Sequence, residues 1–176
     1  MAARGIQIGL RIWEFLWTLL VMALVGNMIA DAFAGNPSSV NYTMFVSAFS
    51  MFTLFYLVPA SINPDWAVHP VFVIVIDALN AIFFLTAGIA LAAKLTSHSC
   101  GNNAYTLHNE ITNGAFNRQK RCREAQASTA FLWFAWAGYM ASLILSIATS
   151  RQTGVNLRGR TGPARGGISR PSMAQV

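Results

Sequence analysis

The stretch VFVIVIDALNAIFFLTAGIALAA, Val71 to Ala93, decides the fold. It is a continuous apolar run interrupted by Asp77, Asn80 and Thr86, and a helix of that length spans about 30 Å of hydrocarbon. A strand of a membrane barrel would alternate apolar and polar residues, and this run does not. A helix also satisfies all of its own backbone polar groups inside lipid. Three further runs have the same character, from Ile12 to Ala30, from Tyr42 to Ile62 and from Ala127 to Ile147. The expected fold is an all-α integral membrane protein: a left-handed antiparallel bundle of four transmembrane helices occupying residues 1–150.

Composition agrees. The chain is 55% hydrophobic and 10% charged, with a mean hydropathy of +0.47, too apolar for an ordinary soluble domain of 176 residues. The net charge is +6, and the basic residues sit in clusters outside the apolar runs, where they orient a membrane protein and touch anionic lipid headgroups; no nucleic-acid partner is expected. From Arg151 onward the chain is rich in Gly, Arg, Pro and Ser, so residues 151–176 are expected to form a disordered basic tail whose Arg151, Arg158, Arg160, Arg165 and Arg170 contact lipid. Ala32-Phe33-Ala34 imitates a signal-peptide cleavage site. The first run, however, exceeds the usual h-region of about 7 to 15 residues and carries Glu14 and Asn27, so a retained first helix is expected.

The links Asp31–Asn41 and Asn63–Pro70 are short, as antiparallel neighbours need, whereas Lys94–Gln126 is long and polar. With four spans both termini share one side. They carry seven basic residues (Arg4, Arg11, Arg151, Arg158, Arg160, Arg165, Arg170) against five in the long loop. The two cysteines, Cys100 and Cys122, both fall in that loop, which places it where disulfides persist and the termini in the cytosol. His98 and His108 share the loop and invite a zinc reading, but zinc sites bring cysteines in close pairs, so a disulfide is favoured and no metal or other cofactor is expected. Asn41-Tyr42-Thr43 matches the glycosylation pattern but abuts a helix, and no glycan is expected there.

Within the spans, a carboxylate at Asp77 costs at least about 2.5–3.5 kcal/mol on insertion scales and must face the bundle or be protonated. It reads either as a hydrogen-bonded carboxyl gluing helices, with Asn80 one turn along the same face, or as a proton-linked switch or lipid-headgroup contact. Glu14, one turn inside Arg11, reads as half of an interfacial ion pair. Gly138, Ser142 and Ser146 make a small-residue stripe, repeated by Gly88 and Ala92, that lets helices approach closely. Internal packing is the favoured use, a contact between protomers of a homo-oligomer the other. Trp13, Trp17, Trp66 and Trp133 lie near the run ends, with Trp136 deeper. No nucleotide loop, Ser-His-Asp set or metal-ligand helix motif supports catalysis, so no enzyme is expected.

Several words in the sequence resemble a known family. They are Val40-Asn41-Tyr42, Asp77 and Asn80 with Thr86-Ala87-Gly88, His98-Ser99-Cys100 with Asn102-Asn103 and Tyr105, Arg121-Cys122-Arg123 with Ala125-Gln126-Ala127, and the terminal Arg160-Thr161-Gly162 and Gln175-Val176. Together they resemble the fungal non-classical export proteins of the MARVEL superfamily of four-helix membrane proteins. The resemblance implies a plasma-membrane protein that organises a sterol- and sphingolipid-linked compartment, the furrow-like eisosome. Eisosome proteins and plasma-membrane transporters would be its neighbours, and it would be linked to unconventional secretion. The rival class is a small oligomeric carrier or pore, which would need several polar groups facing one lumen; Asp77, Asn80 and Asn27 are few for that task.

Overall fold

A computed structural model describes residues 2–63, 66 and 69–152. Four long helices, α1 (Ala2–Ala30), α2 (Ser38–Ile62), α3 (Pro70–Leu95) and α5 (Arg118–Gln152), are each long and apolar enough to cross a membrane. A short α4 (Asn103–His108) lies between the third and fourth of them. Consecutive long helices run antiparallel. α5 packs on both α1 and α3, and α2 and α3 touch least among the neighbouring long pairs.

The helix starts follow local chemistry. Pro70 takes the first position of α3, where a missing N–H costs nothing, and the His69 side chain accepts from Val71 N at 3.2 Å. Asn102 caps α4 by accepting from the backbone N–H groups of Ala104 and Tyr105. The side chain of Asn117 accepts from Lys120 N at 3.0 Å and so starts α5 well before the apolar run. The sequence expectation placed the fourth helix at Ala127 and left Arg118–Gln126 in the loop; those residues are helical, and the loop shrinks to 96–117. Likewise α1 begins at Ala2, not Ile12, which brings Arg11, Trp13 and Trp17 into its middle. Arg151, expected to open the tail, belongs to the last turn of α5. The tail residues Arg158, Arg160, Arg165 and Arg170 lie outside the described residues.

The shortened loop is tied down. Tyr105 donates from its hydroxyl to the Leu95 carbonyl, and Asn109 donates to the Lys94 carbonyl at 2.8 Å. The Thr112 hydroxyl donates to the Thr106 carbonyl at 2.7 Å, and Phe33 N donates to Gly114 O at 3.0 Å. That last bond joins the loop to the α1–α2 turn, where Gly35 adopts φ +85, a left-handed conformation that favours glycine.

Polarity is distributed opposite to a soluble bundle. Thr18, Thr43, Ser47, Ser50, Asp77, Asn80 and Ser142 are buried, while Phe45, Phe52, Phe55, Ile82 and Ile144 stand exposed. Lipid gives no hydrophobic reward for hiding apolar side chains, so small and polar residues take the helix interfaces. Thr43, Ser47, Ser61 and Thr129 donate to carbonyls four residues earlier, so their hydroxyls are satisfied within their own helices. Val21, Met28, Phe84, Leu91, Leu132 and Tyr139 fill the remaining core.

Candidate functional site

The polar centre of the bundle is built on Arg11. Its guanidinium donates from Nη1 to Asp77 Oδ1 at 2.6 Å and from Nη2 to Asp77 Oδ2 at 2.8 Å, a bidentate pair joining α1 to α3. Nη1 also reaches Glu14 Oε2 at 2.9 Å, and Nε lies 3.5 Å from the Ser61 hydroxyl of α2. The Ser142 hydroxyl of α5 donates to Glu14 Oε1 at 2.5 Å, and Ser146 adds a hydrogen bond to Asp77. All four long helices therefore contribute to one cluster. Arg11 is 1% exposed and both carboxylates are fully buried.

The sequence expectation of an interfacial Arg11–Glu14 pair is corrected here. The pair exists, but inside the bundle, because α1 extends a further three turns toward its N-terminus and carries Arg11 away from the water boundary. What sequence reading missed was the cation for Asp77. The available signal was the helical spacing of Arg4, Gln7, Arg11, Glu14 and Thr18, which makes one polar stripe along an otherwise apolar α1.

Beside this cluster runs a chain of hydroxyls. Thr18 Oγ1 and Ser50 Oγ are 3.2 Å apart, and Ser50 Oγ and Tyr139 Oη 2.5 Å apart, linking α1, α2 and α5. Asn80 is buried as expected, yet it serves a different pair of helices from Asp77: its Nδ2 donates to Thr53 Oγ1 of α2 at 3.0 Å. Asn27 is further removed, donating to Glu124 Oε1 at 2.5 Å near the opposite end of the bundle. No common lumen collects Asp77, Asn80 and Asn27.

The small-residue stripe on α5 faces α1. A Cβ at Gly138 would lie 2.8 Å from Trp13 Cδ1 and 3.2 Å from Glu14 Cγ, so glycine is what lets α1 seat Glu14 against Ser142. Trp13 is fixed there by donating from Nε1 to the Phe134 carbonyl at 3.1 Å. Trp17 stacks on Phe134 and packs against Phe131, while Trp133 meets Trp136 edge-on. On α3, Gly88 is buried against Trp133, but Ala92 is exposed, so the second stripe ends after one residue. One helical turn beyond Gly88 the face has rotated out of the contact.

At the loop end, Cys100 and Cys122 form a disulfide with their Cα atoms 5.6 Å apart. Lys120 pairs with Asp31 at 2.7 Å, and the Arg121 Nη2 donates to Asn36 Oδ1 at 2.9 Å. His98 stacks on Tyr105, and His108 hydrogen-bonds the Ala104 carbonyl through Nδ1. Among the described residues, no group of three or more His, Cys, Asp or Glu side chains could hold a metal ion.

Comparison with known proteins places this architecture. The profile of the MARVEL membrane-associating domain matches residues 3–145. Non-classical export protein 2 of Saccharomyces cerevisiae is 34% identical over 172 residues, 95% of either chain. Non-classical export protein 102 of Candida albicans is 34% identical over 168 residues, again 95% of each. A Schizosaccharomyces pombe homolog of non-classical export protein 2 is 30% identical over 73% of this chain and 69% of its own. No solved structure matches. With four membrane-length helices around a closed polar centre, a profile match over nearly the whole helical region and full-length similarity to these relatives, the chain belongs to the MARVEL family of multi-pass membrane proteins and, within it, to the non-classical export proteins.

Proposed function

We propose that this protein organises a lateral domain of the plasma membrane, an eisosome-like compartment linked to sterol and sphingolipid, and that its bearing on unconventional secretion runs through that role without catalysis. The observation that carries the reading is the closure of the polar centre. Both oxygens of Asp77 and both of Glu14 are engaged by Arg11 and Ser142, so neither carboxylate has an oxygen left for a passing solute. The outward faces are instead covered with exposed phenylalanine and isoleucine, the chemistry that selects bilayer thickness and lipid neighbours. Kinship with proteins named for non-classical export supports the secretion link. Both termini lie in the cytosol, the basic tail touches anionic headgroups, and eisosome proteins and transporters are lateral partners.

The test is cellular. Loss of the protein disperses patch markers and neighbouring transporters across the surface, and its reintroduction restores the patches. Intact patches together with a lost solute flux would instead identify an oligomeric carrier or pore.

A further inference from the structure

A pocket of about 420 Å³ opens between all four long helices at the end of the bundle where α1 begins and α5 ends. Its lining includes Arg4 and Gln7 of α1, Ser61 of α2, and Ser146 and Thr149 of α5. Two of these hydroxyls are committed: Ser61 donates to the Leu57 carbonyl at 2.8 Å and Ser146 hydrogen-bonds Asp77. Two donors are not. The Gln7 amide nitrogen is buried without a partner, and Arg4, the only charged side chain lining the pocket, makes no ion pair or hydrogen bond among the described residues. A guanidinium beside an unsatisfied amide N–H calls for an acceptor-rich anionic group, and a phosphodiester supplies that.

A separate apolar groove lies next to the pocket along two of the same helices. Between α1 and α2, on the outer face, a groove of about 390 Å³ runs past Ile12, Phe15, Leu54 and Val58. The two adjoin along both helices: Ala60 and Ser61 of the pocket follow Val58 and Pro59 of the groove, and Arg11 of the groove stands one turn beyond Gln7. The polar part thus lies toward the helix ends and the apolar part toward the bilayer middle. That is the polarity of a lipid standing upright in one leaflet.

We infer that this pocket and groove bind one glycerophospholipid from the leaflet on the side of the termini, its phosphodiester held by Arg4 and Gln7 and one acyl chain lying along Phe15 and Val58. The inference rests on the reading of membrane lipids as partners, but it concerns stoichiometric binding to purified protein. The organiser role is judged by patch dispersal in cells, so either can fail alone.

Native mass spectrometry of the full chain tests it, with palmitoyl-oleoyl phosphatidylglycerol, dioleoylglycerol or glycerol 3-phosphate added singly. One equivalent of phosphatidylglycerol remains bound at collision energies that strip the rest. Arg4→Gln, at an exposed and unpartnered position, lowers that bound fraction about five-fold, as does Gln7→Leu. Val58→Trp, which fills the groove and changes no charge, lowers it as well. Equal retention by parent and Arg4→Gln overturns the site. Equal retention of dioleoylglycerol shows that no phosphate is read, and glycerol 3-phosphate binding as well as the lipid shows a soluble-anion site; either result overturns it too.

Discussion

Arg11 and Asp77, 66 positions apart in sequence, meet across the centre of the bundle, on helices α1 and α3 that are not packing neighbours, with two parallel N–H···O bonds of 2.6 and 2.8 Å. In a membrane interior neither charge is tolerable alone, so each residue's presence is explained by the other's.

Removing one partner is therefore costly. Arg11→Leu, which strands two buried carboxylates, should lower stability by about 3–5 kcal/mol, whereas Asp77→Leu leaves Arg11 its ion pair with Glu14 and should cost less. Asp77→Asn keeps an acceptor and should be milder. Thermal unfolding of the four variants in nanodiscs checks this, and the double variant Arg11→Leu/Asp77→Leu should lose clearly less than the sum of the singles. Strict additivity would show that the pair is not coupled.

The two buried glycines should behave differently. Gly138→Val drives a side chain into Trp13 and the Glu14 stem, breaking the Trp13 bond to the Phe134 carbonyl, and should cost about 1–3 kcal/mol. At Gly88 a Cβ meets Trp133 at 3.6 Å, an ordinary contact, so Gly88→Ala should leave the melting temperature nearly unchanged. Equal sensitivity at both positions would show that Gly138 is not a point of unusually close approach.

The Cys100–Cys122 bond closes a segment with a sequence separation of 22, worth about 3 kcal/mol in the chain-entropy model. A non-reduced digest should yield the crosslinked peptides. Cys100→Ser/Cys122→Ser should raise protease sensitivity between residues 96 and 117 while the four long helices persist by circular dichroism, since Tyr105 and Asn109 still tie the loop to the end of α3.

Because no cysteine is free among the described residues, a single introduced thiol reports sidedness cleanly. Arg4→Cys and Arg151→Cys, both at exposed positions at one end of the bundle, should resist a membrane-impermeant maleimide in intact cells and react after permeabilisation. Labelling of both from outside would reverse the orientation, and labelling of one alone would contradict an even count of spans.

Phosphorylation of Thr161, among the arginines of the tail, would add nearly two negative charges. A Thr161→Glu chain should sediment less with anionic liposomes than the parent; equal sedimentation would remove the tail as a lipid switch.

The membrane, the four spans and their antiparallel order are legible in the residues alone, because continuous apolar length and short links leave few other solutions in lipid. The sequence also marked Asp77 as a residue that had to face inward, since the cost of a lipid-exposed carboxylate is a one-residue argument. It could not identify the partner: Arg11 lies outside the apolar run by composition, and only the packing of α1 against α2 and α5 carries it into the interior, opposite Asp77. Helix ends were misplaced for a related reason. Hydropathy marks where lipid begins, whereas α1 and α5 continue past that boundary on backbone hydrogen bonds and the Asn117 cap. Tertiary structure alone decided that Gly138 is a close-approach point while Ala92 is exposed, and that Asp77, Asn80 and Asn27 serve three separate contacts, because what a helix residue meets depends on the rotation and height of its neighbours.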